Sequence, residues 1–381
     1  MRRRTRFILV AHALTAAFHV LPGAALAHAF GVVGVALGVG LWLAVALRLQ
    51  RLGHDQPRPR WLTRLVDEPL FAHWFGAALG LVFWPVTAGA TLSLGVVSPL
   101  AALPATAAAA YGLGLCVALW GTYVTRRRVR IERVALSFSD LPRAFDGYRI
   151  AQLTDLHVGS YDRVERGLQW VALANDLNAD VIVVTGDLVT AGTSFYADAA
   201  RVVGELRARD GVLVVMGNHD QWDNDALTRD LQARGVRVLK NSHLCIEREG
   251  QALQFAGLDD AYTGKDDLSV TLSAARANFT VLLSHYPRFF DEAVKKGARL
   301  TLSGHTHGGQ FAVPGLAKWL NLARMLGQHP RGSFGDDRGR LHVSAGLGTT
   351  GPPIRLGIRP EISCITLMRA EGTRSDPHPE S

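Results

Sequence analysis

With 381 residues, the chain is long enough for two structural units rather than one ordinary core. Its net charge of +8 is unevenly placed: residues 1–133 hold 14 Arg against 4 Asp and Glu, leaving 27 basic and 29 acidic residues for the remainder. That asymmetry argues against a nucleic-acid partner, which a basic surface throughout would favour.

The first third reads as membrane. No charged residue lies between Phe7 and Ala46, and none between Pro69 and Thr125. Since about 20 apolar residues cross a bilayer, each stretch is long enough for two crossings. Breaks at Pro22-Gly23 and at Ser98-Pro99 with Pro104 predict four helices near 7–26, 28–48, 71–95 and 104–124. Arginines cluster before the first span (Arg2, Arg3, Arg4, Arg6), between the hairpins (Arg48, Arg51, Arg58, Arg60, Arg64) and after the fourth (Arg126, Arg127, Arg128, Arg130, Arg133). The rule that such clusters stay inside places all three in the cytoplasm of an inner-membrane protein, and the following domain with them. The opening M-R-R-R-T-R, its apolar run and A-L-A-H-A also resemble a signal peptide cut near Ala27, which would leave that orientation unchanged. His12, His19, His28 and His73 have no acidic companion within the spans and are assigned to helix packing or the interface. For the same reason a transporter, which would pair charges in the membrane, is disfavoured.

From residue 148 onward, apolar strands alternate with helical periodicity. Strands are expected at 148–153, 180–185, 211–216, 279–283 and 299–302, and helices at 162–177, 197–208 and 223–234. Continuous apolar strands imply a sheet covered on both faces, with ligands beyond the strands' carboxyl ends. Five polar segments follow strands directly: D-L-H (Asp155, His157), G-D (Asp187), G-N-H-D (Asn218, His219, Asp220), S-H (His285) and G-H-T-H (His305, His307). Carboxylates, imidazoles and one amide suit Mn, Fe or Zn ions. The donors are too many for one tetrahedral ion, but two divalent ions sharing a carboxylate account for them. Such a pair can clamp a phosphoryl group and generate a hydroxide to attack phosphorus. Cys116, Cys245 and Cys364 have no C-x-x-C spacing and read as buried reduced thiols.

The ordered set D-x-H, G-D, G-N-H-D, His and G-H-x-H resembles the calcineurin-like metallophosphoesterase superfamily over roughly residues 148–367. With membrane spans before it, S-G-H-T-H-G-G-Q is similar to membrane-bound bacterial metallophosphoesterases of the phosphodiesterase type. The resemblance implies a four-layer α/β/β/α sandwich. It implies one metal on Asp155, His157, Asp187 and His307, and a second on Asp187, Asn218, His285 and His305. His219 is then the residue that contacts the phosphate and protonates the leaving oxygen, while Asp220 orients that imidazole or a neighbouring ligand. Many family members carry G-D-x-x-D where this chain has G-D-L-V-T, so Thr190 stands at the second acidic position and altered support of the ligands is expected.

Other polar residues read blandly: Asp259 and Asp260 as loop residues, and His54, His243, His329, His342 and His378 as ordinary surface or core histidines. The 314–328 segment places Leu316, Trp319, Leu320, Leu322, Met325 and Leu326 broadly on one helical face, suited to the core or to a flap that meets lipid. Arg355, in a Gly/Pro-rich turn, reads as a surface residue or a phosphate contact. The division expected is a membrane region over 1–133 with four helices, an α/β phosphoesterase domain over 134–370 and a disordered tail over 371–381. The function expected is hydrolysis of a phosphodiester or pyrophosphate, with a lipid-linked substrate as a reason for the anchor. The rival is a metal-binding sensor or scaffold on the same fold.

Overall fold

The computed structural model describes residues 2–51, 56–93, 99–273, 279–313, 320–325 and 328–370. The tail expected at 371–381 and His54, as well as Leu316, Trp319 and Leu326 of the apolar face, lie outside them.

Helices α1 (Arg2–Phe18) and α2 (Val20–Gln50) open the chain. A short helix α3 (Arg60–Leu62) runs through Thr63–Asp67 into α4 (Glu68–Ser93), and α5 (Pro99–Tyr123) follows. By length and composition, the helical stretches Val20–Gln50, Arg60–Thr91 and Leu103–Arg127 can cross a membrane, three among the described residues. The break expected at Pro22-Gly23 is displaced. Pro22 lies in the first turn of α2, where a missing N–H leaves no helical bond unmade. The helix is instead interrupted at Gly31 (φ 56°, ψ −133°), a conformation open to glycine alone. Beyond it the chain doubles back: Gly34 abuts the Leu26 carbonyl, and a Cβ on Gly38 would stand 3.4 Å from the Gly23 Cα. Pro104, expected as a break, lies within α5.

Strands β1 (Arg130–Phe138), β2 (Arg149–Leu153), β3 (Val181–Thr185), β4 (Val212–Val215) and β5 (Arg237–Val238) join β12 (Glu361–Arg369) in one sheet, ordered β1-β12-β2-β3-β4-β5. The second sheet is ordered β10-β11-β9-β8-β7-β6, from β6 (Ser242–Arg248), β7 (Gln251–Gly257), β8 (Phe279–Leu283), β9 (Leu300–Ser303), β10 (Gly332–Asp336) and β11 (Gly339–Val343). Both are mixed: β2 to β5 run parallel, as do β7, β8, β9 and β11, while β12 opposes β2. The run V-I-V-V-T of β3 is buried along its whole length because apolar layers cover both of its faces. Ile150, Val183 and Leu213 of the first sheet meet Phe255, Phe279 and Leu300 of the second. On its other face, Ile182, Val184 and Val214 pack on Trp170, Val203 and Leu227 of α6 (Val164–Asn175), α7 (Tyr196–Gly204) and α8 (Asn224–Gln232). Behind the second sheet, Leu282 and Ala256 meet Leu268 and Ala293 of α9 (Leu268–Leu272) and α10 (Phe290–Lys295). The short helix α11 (Leu322–Met325) follows the ligand loop of β9. The result is a four-layer α/β/β/α arrangement. Its first strand begins at Arg130, inside the basic flank of the last membrane helix.

The helices and the domain are joined by buried charge. Arg126 donates to Glu68 Oε1 at 3.1 Å and to Asp162 Oδ1 at 2.9 Å, and Arg48 donates to the Tyr161 hydroxyl at 2.7 Å. Of the cysteines, Cys364 is buried, Cys245 half-buried and Cys116 exposed on α5, the apolar surface of a helix being its outside.

Candidate metal centre

Each expected ligand sits where its strand ends. Asp155 and His157 follow β2, Asp187 follows β3, Asn218 and His219 follow β4, His285 follows β8, and His305 and His307 follow β9. The carboxyl ends of parallel strands from both sheets therefore face one another across the site. Gln152 fixes that juxtaposition from below, donating to Ser303 O at 2.9 Å in the other sheet and to Thr185 Oγ1 at 3.0 Å in its own.

Local backbone geometry aims the donors. Asp155, His157, Asp187, His305 and His307 all have positive φ, between 45° and 69°. Side-chain-bearing residues avoid this region, at a cost of order 1–3 kcal/mol each where it is enforced. Enforcement comes from loop-to-loop hydrogen bonds: Asp155 N to Gly186 O at 2.9 Å, His157 N to Asp187 O at 3.0 Å, and His305 N to the Asp155 carboxylate at 3.1 Å. The neighbouring glycines serve the ligands' own packing. A Cβ on Gly217 would strike the Asp187 carboxylate, and one on Gly304 would strike Asp155.

Three overlapping clusters of donors result: Asp155, His157 and His307; His157, Asp187 and His219; and Asp187, His285 and His305. Within them, His307 Nε2 lies 3.3 Å from Asp155 Oδ1 and 3.1 Å from His157 Nε2, and His285 Nε2 lies 3.2 Å from Asp187 Oδ2. Asn218 joins from the side, its Oδ1 accepting from the Tyr286 hydroxyl at 3.3 Å, while the Tyr286 ring packs 4.4 Å from His305. Burial holds His157 down to about 3 and His305 down to about 4, and drives His307 well below its usual value. Burial also lifts Asp155 to about 6. His285 is the exception: burial works against its charge, but the Asp187 carboxylate outweighs it and lifts the imidazole to about 10. Imidazoles held neutral, with lone pairs converging on carboxylates that water does not solvate, fit divalent cations. His157 and Asp187 each belong to two clusters, and of the pair only the carboxylate has two oxygens to offer.

His219 lies within ligand distance of His157 and Asp187, so distance alone does not separate it from the ligands. Its Nδ1 donates to the Thr190 carbonyl, which leaves Nε2 free to act, and its backbone N–H donates to Asp187 Oδ1 at 2.9 Å. Asp220 does not touch that imidazole. It accepts from the backbone N–H groups of Leu188 (2.8 Å), Val189 (3.3 Å) and Gly217 (2.9 Å), fixing the loops that carry Asp187 and Asn218.

Two positions differ from their sequence reading. Arg355 is fully buried rather than on the surface, and its Nη2 donates to Ala345 O at 2.9 Å and lies 3.3 Å from His307 Nδ1. Thr190 replaces the acidic side chain by two contacts, its hydroxyl donating to His157 O at 2.9 Å and its carbonyl accepting from His219. Tyr286 had no signal beyond its place next to His285. Asp260 turns its carboxylate to the N–H groups of Tyr262 and Thr263, as a loop residue does, and His342 is a core histidine between the Ser333 and Ser363 hydroxyls.

A calcineurin-like phosphoesterase family model matches residues 148–309. The chain is 29% identical to the Bacillus subtilis metallophosphoesterase YkuE over 72% of this chain and 95% of that one. It is 30% identical to a metallophosphoesterase of Aquifex aeolicus over 63% of this chain and 92% of that one. A Danio rerio transmembrane protein with metallophosphoesterase domain is 29% identical over 67% of this chain, which spans 61% of that relative's length. The matched residues include every loop that brings a donor to the centre, and by that likeness the chain belongs to the calcineurin-like phosphoesterase family, whose members depend on a pair of metal ions.

Proposed function

We propose that the protein is a membrane-anchored phosphodiesterase or pyrophosphatase with two divalent ions, Mn, Fe or Zn, in this centre. Asp155, His157, Asp187 and His307 would hold one, and Asp187, Asn218, His285 and His305 the other. The convergence of three donor clusters at facing sheet edges carries the reading. Bound there, the ions would polarise the phosphoryl group and lower the pKa of water near it. The chain's own contribution centres on His219. With Nδ1–H committed to Thr190 O, its Nε2 holds the proton that the leaving oxygen takes up.

The anchor is read as four crossings, 1–133 forming the membrane region and 134–370 the catalytic domain in the cytoplasm. The reversal at Gly31 supports the extra crossing, since it divides the first apolar stretch into two antiparallel arms. A bond between His12 and Gln50 (3.1 Å) brings the outer ends of those arms together. A lipid-linked substrate is favoured by the rim after the ligand loop. Val313, Leu320, Leu322 and Met325 are exposed there, and Phe311 stacks on Phe75 of α4 at 4.5 Å.

The decisive variant is His219→Ala in the full chain. Turnover of an aryl phosphodiester is expected to fall roughly 10²- to 10⁴-fold while bound metal, measured by elemental analysis, is retained. Lost metal would make His219 a ligand, and unchanged turnover would remove its role. A panel comparing dispersed lipid diphosphates with soluble diesters tests the substrate class; equal turnover would remove the lipid argument.

A further inference from the structure

A concave site lies where the membrane helices meet the domain. It is a cavity of about 400 Å³ whose walls include Arg60, Arg64, Arg126, Arg127, Arg163 and Arg166. Three carboxylates stand among these six arginines, and each is already engaged. Glu68 takes Arg126 at 3.1 Å and Arg127 at 3.4 Å, and Asp162 takes Arg126 at 2.9 Å and Arg166 at 3.1 Å. Glu165 pairs with Arg60. Arg64 and Arg163 have no carboxylate partner among the described residues. Arg163 turns instead to main-chain oxygens, Ser160 O at 3.2 Å and Arg58 O. The cavity thus keeps three positive charges in excess. Charges of one sign in a concave site reinforce one another's field, and guanidinium forks match phosphate oxygens.

The cavity's depth is marked by its neighbours. Trp61 and Leu65, on the same short helical segment as Arg60 and Arg64, are exposed. Apolar and aromatic side chains of this kind sit at headgroup level when a membrane helix continues from them, and here α4 does.

We propose that this cavity binds a phosphate-bearing anion, with Arg60, Arg64, Arg127 and Arg163 as its donors. An anionic phospholipid headgroup and a soluble phosphate share that chemistry, and basic pockets at the ends of membrane helices suit the former. The lipid source rests on the membrane reading above but not on catalysis. The test measures binding alone, so its failure and that of the phosphoesterase reading are distinguishable.

The full chain is reconstituted in phosphatidylcholine bilayers with or without phosphatidylglycerol, extracted in detergent, and the retained lipid counted by native mass spectrometry. Arg60→Gln with Arg64→Gln is the variant, since both side chains are exposed and can change without unfolding the protein; circular dichroism confirms its fold. Retention of phosphatidylglycerol above phosphatidylcholine, falling roughly 10- to 30-fold in the double variant, assigns a lipid headgroup. In a second arm, inorganic phosphate is added to lipid-free protein and the melting temperature followed. A rise that the double variant lacks assigns soluble phosphate. No variant-dependent difference in either arm overturns the proposal.

Discussion

Asp220 acts on the centre only through main chain, since its two oxygens accept from Leu188, Val189 and Gly217 and touch no ligand side chain. Burial, aided by the Asp187 carboxylate, lifts its pKa to about 7, and the backbone N–H donors and the nearby His285 are what favour the charged form there. Asp220→Asn would turn an amide donor toward one of those N–H groups. The unmade hydrogen bond costs about 1–3 kcal/mol, and a displaced Asp187 loop should weaken metal binding roughly 10- to 100-fold. Melting temperature and metal titration on the same preparation read the two effects; an unchanged metal affinity would show that the loop holds its course without Asp220. At this scale the donors that converge at the centre were legible because metal chemistry restricts residue type, and order along the chain did the rest. Arg355 and Thr190 were not. Their roles depend on carbonyl groups that folding brings near, Ala345 O for one and the backbone of His157 for the other, and no residue pattern encodes those.

Among elements, the strands that carry ligands matched their apolar runs to within a residue or two, whereas β1 escaped notice. Its sequence R-I-E-R-V-A-L-S-F opens with charge and directly follows a membrane flank, so its edge position beside β12 left little apolar signal. The first membrane stretch shows the opposite error. Proline looked like the interruption, but a proline in a first turn is harmless and the real reversal needs a glycine. Gly31→Val should therefore be severe: a β-branched side chain at φ 56° and ψ −133° meets strain of order 1–3 kcal/mol. The full chain in detergent should melt at lower temperature, while Gly40→Val, in the regular part of α2, should do much less harm. Equal melting of the two variants would mean that the reversal at Gly31 does not constrain the fold.

For the molecule as a whole, the junction between membrane and domain is polar at its heart and apolar at its edge. Arg126 is buried between Glu68 of α4 and Asp162, which lies in the same loop between β2 and α6 as Asp155 and His157, so the membrane helices grip the metal centre's own support. Around it, Gly121 of α5 packs on Ile354 and Leu356. Arg126→Met would leave both carboxylates with only their weaker partners, Arg127 and Arg166, at a cost of about 3 kcal/mol. Melting of the full chain should fall accordingly. Adding Glu68→Gln and Asp162→Asn should restore much of the loss, because the destabilisation comes from stranded charge. If the triple variant melts no higher than the single one, shape rather than charge holds the junction.

The five candidate ligands in left-handed backbone have an implication for directed evolution. At each of Asp155, His157, Asp187, His305 and His307, glycine would relax the main chain and delete a donor in the same step. A library selected for heat resistance alone would accordingly be drawn toward these positions, and its hardiest members would be the ones least able to hold metal.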